Sequence, residues 1–304
     1  MPVAPPEQPV EPPSGLGELS PVGGQTVAGE PAWRDALQAL ALWLLSIFLI
    51  VFVANLVPLP YILFRYRGVQ MTQQVLTSDP TILFLSVLGV LPAHVLTFGA
   101  AWLLVTRVGK RPFWRTLNWS WNRRLGFMDY VAIVWGFSFL AGVLYVISGF
   151  VSKLIGGGEP TDIEMLVKSS AATRIALAVL ATATGPLVEE VIYRGVLYPA
   201  VQKALGTVWS VVIVSFLFTF VHVFQYRNNW GVITAIAILS VTLTLTRAIS
   251  GRLLPCFIIH MVFNGIQSLI ILFHPYLEQM EKGAGQKTGL LVLTACGQLF
   301  GHPL

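Results

Sequence analysis

Residues 185–198 read GPLVEEVIYRGVLY, so two adjacent carboxylates and a guanidinium interrupt one of the most apolar parts of the chain. The run that contains them, about residues 174–200, is long enough to cross a bilayer as a helix. An ionised side chain near the centre of such a helix costs about 2.5–3.5 kcal/mol even on a lenient insertion scale. Glu189, Glu190 and Arg194 therefore need partners or a task.

The rest of the chain has the same apolar character. Of 304 residues, 55% are hydrophobic and 11% charged, with a mean hydropathy of +0.72; ordinary soluble domains carry about 25% charged residues. Further apolar runs lie near 36–57, 81–106, 129–152, 207–224, 232–246 and 253–273, with a weaker one at 289–301. The expected fold is all-α, a polytopic transmembrane bundle of about 7–8 helices. In this reading residues 34–173 are N-terminal transmembrane helices, 174–273 a core, and 274–304 a loop with a short apolar segment.

Residues 1–33 are rich in Pro, Gly and Glu, as in PVAPPEQPVEPPSG at 2–15, and hold too little apolar surface to fold. They are expected to form a disordered cytoplasmic tail. No basic stretch leads directly into a short apolar core with a cleavage site, so the first helix, near Ala36, should act as an uncleaved insertion signal. The net charge is +5, and Arg107, Lys110, Arg111, Arg115, Arg123 and Arg124 cluster around PFWRTLNWSWN at 112–122. Basic residues and tryptophans suit a membrane interface, and the positive-inside rule puts this loop and the N-terminus in the cytoplasm; the short loops and tail suggest a bacterial plasma membrane. The expected contact is with the lipid bilayer and not with nucleic acid. Cys256 and Cys296 form no CxxC pair and read as packed thiols. No internal repeat is visible, which disfavours many transporter designs.

Of fourteen acidic residues, only Glu189 and Glu190 fall inside an expected span. Glu190 and Arg194 stand four apart on one helical face, acid before base, the favoured order for a pair. Glu189 lies about 100° around the helix, where the local sequence offers no partner. A carboxylate held in a low-dielectric site is suited to act as a general base near neutral pH. The bland alternative is that both carboxylates simply pair with Arg194.

Three histidines fall within apolar runs. His94 has no polar neighbour at helical spacing and reads as a packing residue, whereas His274 and His302 lie at helix ends. His222 follows Phe218 by one turn, and Phe218 is expected to position its ring. His260 precedes Asn264 by one turn, giving a polar ledge that must face protein because lipid offers it no partner. A carboxylate, two histidines and an amide on three spans are what a buried hydrolytic site requires.

These residues spell EEVIYR at 189–194, FTFVH at 218–222 and HMVFN at 260–264. In order and content they resemble the EExxxR, FxxxH and HxxxN/D motifs of the CAAX-processing and bacteriocin-immunity-related (Abi) intramembrane proteases, the family that includes type II CAAX prenyl endopeptidases. The resemblance covers about residues 174–270. It implies that Glu189 and His222 activate water, that His260 and Asn264 stabilise the oxyanion, and that Glu190, Arg194 and Phe218 support them. It also implies a membrane-associated protein or peptide substrate, such as a prenylated CAAX end. The family was first regarded as metalloendopeptidases. Two histidines and a carboxylate could hold zinc, but the chain lacks HExxH, and the expectation is that no cofactor or metal is required. Two other classes stay open at this stage: a non-catalytic scaffold or immunity-type binding protein, and a proton-relaying transporter.

Overall fold

The computed structural model describes residues 32–120, 126–155, 162–226 and 229–283. Residues 1–31 of the expected tail, the weak run at 289–301, Arg123, Arg124, Cys296 and His302 lie outside the described residues, and Ala32 and Trp33 of that tail already belong to the first helix. Among those described there are helices and no strands. Long helices α1 (Ala32–Leu56), α4 (Pro80–Thr106) and α6 (Phe127–Ile155) are linked by short ones: α2 (Leu59–Arg65), α3 (Gln73–Ser78) and α5 (Phe113–Thr116). After α7 (Asp162–Ser169) comes one apolar stretch made of α8 (Ala171–Val179), α9 (Gly185–Glu190) and α10 (Tyr198–Gln225), joined by π-helical turns at Leu180–Thr184 and Val191–Leu197. Helices α11 (Trp230–Ser250) and α12 (Leu254–Gly283) complete the bundle.

Six of these helical stretches are long and apolar enough to cross a membrane. The protein is thus an all-α integral membrane bundle. The stretch Ala171–Gln225 has 55 residues, far more than the roughly 20 that a bilayer core accommodates. It breaks at Gly206, whose φ of 83° and ψ of 174° are not helical. A glycine adopts that conformation without a Cβ clash. The two expected spans at 174–200 and 207–224 are the two limbs on either side of this break. They fold back on one another, since the Tyr193 and Phe218 rings lie 5.0 Å apart.

Local chemistry sets several helix ends. Asp79 caps α4 by accepting from the Thr81 and Ile82 N–H groups, and its second oxygen accepts from the Tyr61 and Tyr66 hydroxyls. Pro80 follows at a position where its missing N–H costs nothing. Helix α10 turns Val208, Val212, Phe216, Phe220 and Phe224 outward and Ser210, Val214 and Phe218 inward. The outward series is apolar throughout, as a lipid-facing stripe must be.

Helix α1 packs on α4, α11 lies against both α10 and α6, and α12 packs on α6, α8 and α11. Small residues permit the closest crossings. A Cβ on Gly89 would stand 2.9 Å from the Ala54 Cα, and one on Gly231 would stand 2.8 Å from the Ser152 Cα. Such contacts let helices associate where lipid supplies no hydrophobic drive. Gly231→Leu is expected to lower the thermal midpoint of the detergent-purified protein, with a loss of about 1–3 kcal/mol from overpacking. Gly142→Ala, whose added Cβ meets nothing within 4 Å, should leave the midpoint unchanged or slightly higher.

Candidate active site

The site is built on two prolines. Pro186 and Pro199 each follow a π-helical turn. A proline inside a helix donates no hydrogen bond and crowds the carbonyl four residues back, and a widened turn relieves the crowding. At the first turn the Gly185 N–H donates to Leu180 O, and Pro186 has no N–H to offer Ala181 O. The Asn264 amide supplies the missing donor, with Nδ2 at 2.9 Å from Ala181 O. At the second turn the Tyr198 N–H donates to Tyr193 O, and Pro199 offers nothing to Arg194 O. Here Arg247 Nε donates at 3.0 Å. Each carbonyl freed by a proline is thus satisfied by a side chain from another helix, which fixes the stretch between them that carries Glu189, Glu190 and Arg194.

Arg194 is wholly buried and its donors are matched one by one. Nη1 meets Glu190 Oε1 at 3.0 Å, Nη2 meets Ser240 O and Oγ at 3.0 and 2.9 Å, and Nε meets Thr244 Oγ1 at 3.3 Å. Its guanidinium carbon stands 4.6 Å from the centre of the Phe218 ring, a cation–π contact in a desolvated site. The pair with Glu190 has no exposed surface on either side chain. Burying two charges is costly, and the guanidinium is held by several hydrogen bonds while Glu190 Oε1 takes both of the carboxylate's contacts and Oε2 is buried with no hydrogen-bond partner.

Glu190 Oε1 also accepts from His260 Nδ1 at 2.8 Å. A carboxylate oxygen already paired with a guanidinium only accepts, so Nδ1 carries a proton, and Nε2 is the nitrogen left free to face the site. That Nε2 stands 3.7 Å from Glu189 Oε2. His222 is arranged in the same way, its Nδ1 donating to Phe218 O at 2.7 Å, which leaves its Nε2 as an acceptor. Phe218 lies between the two histidines, with ring centres 4.8 Å from His222 and 5.8 Å from His260. Glu189 is 31% exposed against 0% for Glu190, so adjacent carboxylates occupy different environments. The Glu189 side chain folds back over Gly185, where a Cβ would come within 4.0 Å of Oε1.

The structure brings Glu189, Glu190 and His260 into direct proximity and joins His222 to His260 through Phe218. Asn264 lies one turn from His260, with one amide hydrogen committed to Ala181. Two partners come from other helices. Glu189, which has none within its own helix, faces His260 on α12. His94, expected to be a packing residue with no polar neighbour at helical spacing, is buried with its Nδ1 3.0 Å from Thr184 Oγ1.

Other participants were not singled out from sequence. Ser240, Thr244 and Arg247 stand at i, i+4 and i+7 of α11, a polar stripe in an apolar span that could have been noticed. Ser268 extends the His260–Asn264 ledge by one turn, bonding Thr182 and Ala178 O. Tyr226 stacks on His222. Burial pushes its phenol above the ordinary range, helped by the Glu189 charge, so it stays an O–H donor at neutral pH. Among the described residues, no three His, Cys, Asp or Glu side chains are grouped to hold a metal ion.

Comparison with known families places this geometry. Residues 171–266 match the family model described as type II CAAX prenyl endopeptidase Rce1-like. The window contains all three motifs and both π-helical turns, covers about a third of the chain, and supports an intramembrane protease of the CAAX type in general terms. No curated protein and no solved structure matches the chain.

Glu190→Gln should reduce the folded yield in membranes sharply, since it leaves the Arg194 charge unpaired at a cost of about 3–5 kcal/mol. The double variant Glu190→Gln/Arg194→Met should recover part of that loss. Fluorescence-detected size exclusion of matched expression cultures measures both.

Proposed function

We propose that this protein is an intramembrane endopeptidase that hydrolyses a peptide bond of a membrane-associated protein by carboxylate-activated water, with residues 174–273 as its catalytic core. The carrying observation is the split between the two carboxylates. Glu190 is consumed by Arg194 and His260, while Glu189 is about a third exposed beside the free nitrogen of His260. One acid orients and the other is available for proton transfer.

In this reading Glu189 takes a proton from water, assisted by the acceptor Nε2 of His222, and the water oxygen bonds to the scissile carbonyl carbon. The carbonyl oxygen becomes an oxyanion. Asn264 can donate its remaining amide hydrogen to it, and His260, where its ring enters the reaction doubly protonated, donates from Nε2 with Glu190 supporting that imidazolium. The C–N bond then breaks and the proton held by Glu189 passes to the leaving amine. No step requires a metal. A prenylated CAAX end is the substrate class that the family match favours.

The test compares cells producing wild type with cells producing Glu189→Gln at equal membrane levels and maps new peptide termini across the membrane proteome. Termini made by wild type should fall at least about 100-fold in the variant, in keeping with loss of a general base. Identical terminal profiles would move the assignment to a partner-binding protein.

A further inference from the structure

We infer that His94, on α4 and outside the family-matched window, is a positioning residue of the site that sets the Glu189 carboxylate by holding the first π-helical turn; this rests on the peptidase reading above. Two observations lead to it. His94 is 8% exposed, and its Nδ1 lies 3.0 Å from the hydroxyl of Thr184, the last residue of that turn. Gly185 follows Thr184 directly and lies under the Glu189 carboxylate.

The mechanical reason comes from the proline. A widened turn has no intrinsic preference for one register, and Pro186 removes the donor that would close it. Asn264 restrains this turn from α12 through Ala181 O, and Ser268 holds Thr182 from the same helix. Both restraints come from one direction. His94 is the restraint from α4, and with Asn264 it clamps the turn between two helices. Glu189 is five residues beyond Thr184, so a small rotation of the turn moves its carboxylate relative to His260 Nε2. A misplacement of about 1 Å at a reacting group can cost about 100-fold in rate.

Histidine bonded through Nδ1 is mimicked by asparagine, whose amide occupies nearly the same place, whereas alanine removes the bond. The variants are His94→Ala, His94→Asn, Thr184→Val and His94→Ala/Thr184→Val, assayed with a fluorogenic peptide spanning a cleavage site taken from the terminal map. His94→Ala and Thr184→Val should each lower kcat by about 10–100-fold with KM changed less than about twofold. The double variant should be no worse than either single one, and His94→Asn should recover most of kcat. Wild-type kcat in His94→Ala, additive losses in the double variant, or an Asn variant as slow as Ala would each overturn the assignment. If His94→Ala fails to reach the membrane, Thr184→Val, which keeps the side-chain shape, decides alone.

A second readout does not need turnover. Dicyclohexylcarbodiimide labels carboxyls within membranes, and its rate of attachment to Glu189, followed by mass spectrometry, should change in His94→Ala and Thr184→Val alike and return in His94→Asn. An unchanged labelling rate in both would refute the role of His94 even if the protein proved to have no peptidase activity. Turnover by wild type with none by Glu189→Gln tests the peptidase reading separately.

Discussion

The structure depends on an ion pair that has no access to water. Glu190 and Arg194 together would be prohibitively costly in an apolar helix, and the bundle is arranged to make them tolerable. Ser240 and Thr244 on α11 accept from Nη2 and Nε of the guanidinium, Phe218 on α10 covers the guanidinium face, and His260 on α12 donates to the same carboxylate oxygen. Three helices are thereby tied to one turn of a fourth. The pair contributes registry more than net stability, because it can be satisfied in only one arrangement of those helices.

From that registry the chemistry of the site follows. Glu190 fixes the proton of His260 on Nδ1 and aims Nε2 at Glu189. The Phe218 carbonyl does the same for His222 from within its own helix. The prolines at 186 and 199 each deprive a carbonyl of its partner. In the bundle they create the sockets into which Asn264 and Arg247 insert. Asn264 thereby serves structure with one amide hydrogen while keeping another for a substrate.

Much of this was legible in the residues. Apolar run lengths gave the spans, and the acid-before-base spacing gave the Glu190–Arg194 pair because an i,i+4 contact is local. The His260–Asn264 ledge was legible because lipid cannot satisfy two stacked polar side chains. What stayed hidden was non-local or irregular. Nothing near Glu189 or His94 in sequence names their partners, which lie 71 residues away at His260 and 90 away at Thr184. The π-helical turns were missed because a helical pattern assumes a single period. Pro186 and Pro199 were the available signal, since each sits inside a run that otherwise reads as helix. Arg247 lies just past the expected span at 232–246, where nothing local shows that its side chain is almost wholly buried.

The central claim is that Glu190 of the buried pair fixes His260, and the Phe218 carbonyl fixes His222, with their Nδ1 atoms protonated and their Nε2 atoms directed to the reacting side. Nitrogen-15 NMR of histidine-labelled protein in detergent tests it directly, with His222 and His260 assigned by single replacement. The account predicts a protonated Nδ1 at both residues. An unprotonated Nδ1 at either one, with the proton on Nε2, would contradict it.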